Sequence, residues 1–315
     1  MKRSLFLFIA VALVASIGVP RSVTATPPPY LRTIGSPGYD PGQLGLVTGV
    51  AIGSDGDVFV LDGAYVSRFH PDGTFVSRWD PCVGLVRPEQ NAQGLESDRD
   101  GTIFVSTRGG GYPAVVREFD ESGALLGQHD GLGDPWGMGY SSGYGLFIAD
   151  GGRLWRLQTG QLTLLPNVSG CGSGELWGAS SVAVVGNAVF ETEYSERLQR
   201  LTTGGAFVSE LGSVAGCGAI RGYPRFIAPR DAGSVLVVDM LTNVVQIVGT
   251  SGAVLETWGG TGSTHGLFYG ANCAAVGPDG LIYIADGWNG RVEVYGSGPT
   301  AVATSTWGQL KTRYH

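Results

Sequence analysis

Six short runs of β-branched and aromatic residues recur at nearly one spacing, and that period constrains the fold more than any other feature of the chain. They are VFVLD (58–62), IFVST (103–107), LFIAD (146–150), VFETE (189–193), VLVVD (235–239) and IYIAD (282–286), with successive starts 45, 43, 43, 46 and 47 residues apart. A fixed period of about 40 to 50 residues is the signature of a stacked or radial array. Each run follows a weaker strand and a turn, of which Asp55-Gly56, Asp100-Gly101 and Asp279-Gly280 are the clearest hairpin signals. Each is followed by an alternating strand such as VSRF, VREF or VEVY, then a glycine turn and a last strand such as FVSRW or VLETW. Four strands therefore make one unit. A lone four-stranded sheet leaves its apolar faces wet, whereas a closed ring of such units covers them and protects most strand edges. The expected fold is all-β, a six-bladed β-propeller of four-stranded antiparallel blades over residues 26–298.

The sixth unit, IYIADGWNGRVEVY, carries a strand, Asp286, Asn289, Arg291 and a second strand, and in this it resembles the NHL repeat. The resemblance extends over residues 30–298; it is strongest in the first and sixth units and weakest in the third and fourth. It implies a six-bladed ring and no single activity. A ring of this kind is usually closed by strands from both ends of the chain. The N-terminal YLRTIG (30–35) is the expected closing strand, and AVATSTWG (301–308) is its competitor. Residues 299–315 then form a surplus tail, which resembles a terminal tag of other secreted bacterial propellers.

The chain starts with Met-Lys-Arg and an apolar run from Leu5 to Val19, ending in Val23-Thr24-Ala25. That pattern predicts a secretory signal peptide over residues 1–25 and a secreted or periplasmic mature protein. The run is shorter than the ~20 apolar residues that span a bilayer, so no transmembrane segment is expected. Without residues 1–25 the charge moves from -7 to -10, with 17 basic against 27 acidic residues. Such an acidic surface repels phosphate backbones, and nucleic acid is not an expected partner. In an oxidising compartment the four cysteines are expected to form disulfides. Cys171 and Cys217 fall in adjacent inter-blade loops and are the expected pair, which leaves Cys82 with Cys273. No two of them stand at zinc-ligand spacing.

The residues leading into the innermost strands are expected to gather round the central opening, where propellers carry their sites. Counted back from each turn, they are Thr48, Gln93, Trp136, Ser180, Arg225 and Asn272. The set holds no histidine and no carboxylate; one aromatic and one cation suit stacking and hydrogen bonding on a ligand. His265, in the loop leading into the sixth blade, is the one histidine expected to reach that face. A second series, Asp62, Asp150, Glu193, Asp239 and Asp286, with Thr107 in the remaining unit, ends each second strand. An acid at that repeated place is expected to accept N–H bonds in the following turn.

Lyases and lactonases that resemble this repeat hold a metal with histidines, or with Glu, Asn and Asp, around the channel; of these only Asn272 has a counterpart. The expected function is therefore a non-catalytic binding or scaffold propeller that recognises a protein, peptide or glycan. It is expected to act as a monomer without cofactor or metal. The alternative is a metal-dependent lyase or hydrolase.

Overall fold

The computed structural model describes residues 27–85, 92–108, 114–166, 168–169, 173–193, 197–211 and 224–296. Strand β1 (Tyr30–Ile34) comes first and belongs to the last blade. Blade 1 is β2 (Gly49–Ile52), β3 (Val58–Leu61), β4 (Val66–Phe69) and β5 (Phe75–Trp79); blade 2 is β6 (Ala92–Ser97), β7 (Thr102–Thr107), β8 (Val116–Asp120) and β9 (Leu125–His129). Blade 3 is β10 (Pro135–Ser141), β11 (Gly145–Asp150), β12 (Arg153–Gln158) and β13 (Gln161–Leu164). A two-residue parallel pair, β14 (Val168–Ser169) and β15 (Glu175–Leu176), precedes blade 4, which is β16 (Ala179–Val185), β17 (Ala188–Glu193), β18 (Leu198–Thr202) and β19 (Phe207–Glu210). Blade 5 is β20 (Pro224–Asp231), β21 (Ser234–Asp239), β22 (Val244–Gly249) and β23 (Val254–Gly259). Blade 6 is β24 (Ala271–Val276), β25 (Ile282–Asp286) and β26 (Arg291–Tyr295), with β1 as its fourth strand.

Each blade is an antiparallel four-stranded sheet, in chain order in blades 1 to 5 and as β24-β25-β26-β1 in blade 6. The innermost strands touch in sequence, β2 to β6, β10, β16, β20 and β24, and β24 returns to β2. This is a closed six-bladed β-propeller. The N-terminal strand completes blade 6, with Tyr30 opposite Tyr295 and Ile34 opposite Val292. Residues 301–308, the other expected closing strand, lie outside the described residues, as do the signal segment 1–25 and the tail.

The apolar core lies between blades. Ala51, Phe59 and Leu61 of blade 1 pack with Leu95, Ile103 and Val105 of blade 2, and Phe190 and Leu198 of blade 4 pack with Ile227 and Val237 of blade 5. A blade removed from the ring would thus expose both faces, so the units stabilise one another and not themselves. Close approach of the innermost strands also needs glycine. A Cβ on Gly94 would lie 2.1 Å from the Trp136 carbonyl, and one on Gly137 would lie 2.7 Å from the Cα of Ser181.

The disulfide expected between Cys82 and Cys273 is not formed. Cys273 is a free, buried thiol on β24 whose Sγ sits 3.3 Å from the Val50 amide. Cys82 is packed between blades 1 and 2 with Phe59, Leu61 and Leu95. Cysteines expected at one end of the ring are each drawn into a different inter-blade core. Cys171 and Cys217 lie outside the described residues.

Candidate functional site

In five blades the first hydrogen-bonded pair of the innermost strand is followed by a register shift. The residues at those β-bulges are Gln93, Trp136 with Gly137, Ser180, Arg225 and Asn272. A bulge takes its residue out of the alternating pattern and re-aims the side chain. In blade 1 Thr48 precedes β2 and holds the Leu61 carbonyl through its amide, at 2.8 Å. All six side chains are brought together around one throat with room for a single water, about 20 Å³.

The acids at the ends of the second strands hold these residues in place. Asp62 accepts from the Gly45 and Tyr65 amides at 3.4 and 3.0 Å, and Asp150 accepts from the Gly133 amide at 3.0 Å and the Trp155 indole at 2.9 Å. Asp286 accepts from the Tyr269 amide at 2.7 Å, the Asn289 amide group at 2.8 Å and Arg291 Nε at 2.8 Å. In each of these three blades the clamped upstream amide lies three residues before a throat residue: Thr48, Trp136 or Asn272. Burial raises the Asp62 and Asp286 carboxyls above the usual range, and the amide donors partly offset that. Glu193 bonds Arg197 and Gln199, Asp239 accepts from the Thr242 amide at 2.8 Å, and in blade 2 the Thr107 hydroxyl accepts from the Val115 amide at 3.1 Å.

Within the throat the six residues differ in what they can offer. The Ser180 hydroxyl contacts the Thr192 and Pro224 carbonyls at 3.1 and 3.2 Å and is fully buried. Trp136 lies between cations, with the guanidinium carbons of Arg108 and Arg225 each 4.7 Å from its ring centroid, so its face is already occupied. Arg225 is also near the Met240 sulfur, at 3.4 Å. Asn272 is 5% exposed; its Nδ2 donates to the Val47 carbonyl at 3.0 Å, and its Oδ1 has no partner among the described residues. The Val47 bond fixes which end of the amide is which, because a carbonyl must receive a donor, and leaves Oδ1 as the buried atom without a partner.

Above the throat, a cavity of about 310 Å³ is lined by Leu46, Thr48, Gln93, Arg225, Met240, Asn272 and Trp288. It adjoins one of about 410 Å³ formed by Arg225, Met240, Leu241, Asn243, Tyr269 and Trp288. Trp288 is 60% exposed and Leu241 73%, and the Tyr269 and Trp288 ring centroids are 6.1 Å apart. Every large apolar side chain exposed among the described residues lies on a fourth strand or on this loop face; none lies on the opposite hairpin turns.

His265 is not brought to the throat. Its ring stacks on Tyr30 at 4.0 Å and its Nδ1 is 3.2 Å from Glu293, so it fastens the closing strand to blade 6. Two features of the site were missed by reasoning from spacing. The loop between second and third strands supplies Met240, Leu241 and Trp288, and Glu96 stands on β6 three residues past Gln93. The residues at its position in the other innermost strands are Ala51, Gly139, Ala183, Ala228 and Ala275. Burial lifts the Glu96 carboxyl to about 7, against the Ser97 amide and the charge of Arg99. The charges of Glu96 and Arg225 are both felt at the Cys273 thiol, which burial pushes upward. No three His, Cys, Asp or Glu groups stand together as a metal site among the described residues.

A six-bladed β-propeller with a loop-face cleft defines a class used for many purposes. Residues 268–295, in blade 6, match the family model of the NHL repeat, and the ring that holds them is a six-bladed β-propeller. No curated protein matches it. Among solved structures it is similar to virginiamycin B lyase from Staphylococcus aureus, with 15% identity, 84% of this chain and 88% of that one covered, and a TM-score of 0.57. It is also similar to a protein of unknown function from Bacteroides thetaiotaomicron (13%, 84% and 75%, TM-score 0.65) and to the WD40 β-propeller domain of Doa1 (12%, 87% and 98%, TM-score 0.58). At these identities the likeness is one of fold.

Proposed function

We propose that the protein is an extracytoplasmic binding module whose loop face receives a protein, peptide or glycan partner. The observation that carries the reading is the unpartnered, buried Asn272 oxygen at the floor of a cleft walled by exposed Trp288, Leu241 and Tyr269. A buried acceptor without a donor costs about 1–3 kcal/mol, and a ligand N–H or O–H recovers it. The sequence supports an outside location through the leader-like residues 1–25. The Gly296 amide bonds the Pro29 carbonyl at the hairpin-turn end of blade 6. Both ends of the described ring therefore leave from the side opposite the cleft, which faces away from any terminal tether.

The test is capture of partners from the native extracellular fraction by the mature chain, compared with a Trp288→Ala, Arg225→Ala double variant. Loss of the captured set with unchanged thermal unfolding is the expected result; an unaltered set contradicts the reading. The alternative of a metal-dependent lyase or hydrolase has one observation in its favour, the raised carboxyl of Glu96 on the innermost strand β6. Stoichiometric metal in protein purified without chelator, lost together with activity on chelation, would favour that alternative.

A further inference from the structure

The chemistry of the cleft narrows what it takes, and this inference rests on the binding reading above. Three kinds of group meet there in fixed places. Arg225 supplies a cation, braced over Trp136 and against Met240. Asn272 Oδ1 supplies an acceptor that cannot turn away, since its amide nitrogen is tied to Val47. Met240, Tyr269 and Trp288 supply an apolar wall. Arg225 and Asn272 belong to neighbouring blades and line both the outer cavity and the throat.

We propose that the cleft binds an apolar or aromatic carboxylate that carries an N–H or O–H on the atom next to its carboxyl-bearing carbon. The carboxylate lies on the Arg225 guanidinium, whose planar fork matches a carboxylate. The adjacent donor fills the vacant Asn272 acceptor, and the apolar body lies against Trp288 and Tyr269. Charge supports this choice. The chain is acidic overall, yet no carboxylate residue lines either outer cavity, while Arg225 lines both. An ammonium ligand would find no counter-charge in the outer cavities, and a bare hydrocarbon would leave Asn272 unsatisfied.

Two sources share this chemistry, the C-terminal residue of a peptide and a free 2-hydroxy acid, and calorimetry with the mature chain separates them. The probes are N-acetyl-L-phenylalanine, its primary amide, 2-hydroxy-3-phenylpropanoate and glucuronate. The first and third are expected to bind; if only one does, that one identifies the source. The amide, which keeps donor and ring but loses the charge, is expected to bind at least about tenfold more weakly, a difference of ~1.4 kcal/mol. Arg225→Met is expected to abolish the preference for acid over amide, and Trp288→Ala, at an exposed position, to weaken all binding without affecting unfolding. Equal affinity for acid and amide, binding of glucuronate alone, or no heat from any probe at about 10 mM overturns the proposal. If the probes fail while the Trp288→Ala, Arg225→Ala variant still loses its captured partners, the ligand chemistry falls and the binding reading stands.

Discussion

Blades 6 and 4 share a backbone and differ in almost everything that a repeat motif would detect. In blade 6 the acid ending the second strand, Asp286, is held by Asn289 and Arg291, which matches the repeat pattern. In blade 4 the acid is Glu193, one methylene longer, and its donors come from Arg197, with Nε at 3.0 Å and Nη2 at 2.6 Å, and from Gln199. Arg197 and Gln199 also reach the Glu175 carbonyl, each at 2.8 Å, and so tie down the loop leading into the blade. The corresponding loop in blade 6 is tied by Asp286 itself, through Tyr269. The fold demands an anchored acid between two loops, and two different side-chain sets provide it. A sequence model keyed to one set finds blade 6 and passes over blade 4.

Blade 4 carries a second departure. Where the second strands of the other blades place Val60, Val105, Ile148, Val237 and Ile284, it places Glu191. This residue is fully buried, with the Glu193 carboxyl beside it. Burial, and then the charge of Glu193, hold its carboxyl well above the usual range.

Four measurements test whether the two blades are anchored equivalently. The largest effect is on the anchors: Asp286→Ala and Glu193→Ala should each cost about 3–5 kcal/mol in urea unfolding, because each strands a buried arginine or orphans clamped amides. A large loss in blade 6 with none in blade 4 would show that the two sets are not equivalent. Next, Glu191→Val should stabilise by about 1–3 kcal/mol at neutral pH, since it removes a buried acid crowded by Glu193 and restores the side chain type of the other blades. Destabilisation would instead assign Glu191 a partner of its own.

The third expectation concerns pH. Glu96 and Glu191 both have folded values above their ordinary 4.5, with Glu96 at about 7. The folded state therefore holds these protons more tightly than the unfolded chain. The stabilisation is complete below 4.5 and is lost as pH rises from there through the folded values. Unfolding midpoints should fall between pH 5 and pH 8 in the parent and fall less in Glu96→Gln; equal slopes would contradict the assignment of Glu96. The smallest effect is at the closing strand, where His265→Ala should cost about 0.5–1.5 kcal/mol through lost stacking on Tyr30, read from the same unfolding curves.

The ring was legible because its cause is periodic: a strand, a turn and an acid repeat every 43 to 47 residues, and the six throat residues follow by counting back. What those residues can do was less legible. Counting cannot reveal that Trp136 is covered by two guanidiniums, that Ser180 is consumed by its own blade pair, or that one oxygen of Asn272 is left over. Trp288 and Met240 were missed because they sit after the repeated acids, in turns read only for punctuation. Glu96 and Glu191 were visible as breaks in a column of aliphatic or small residues, a signal that appears only when the six units are aligned position by position. The expected bond between Cys82 and Cys273 failed because a shared end of the ring is not a shared core.

The central claim is that the loop face over the throat is where this propeller meets its ligand. With all tryptophans replaced by 5-fluorotryptophan, fluorine spectra report ligand binding at each of the seven sites at once. Titration with a mixed fragment library should move the Trp288 and Trp136 resonances together, leave Trp79 and Trp258 in place, and lose its effect on Trp136 in Trp288→Ala. Binders that shift only Trp79, Trp155 or Trp258 would place the site elsewhere on the ring and contradict the account.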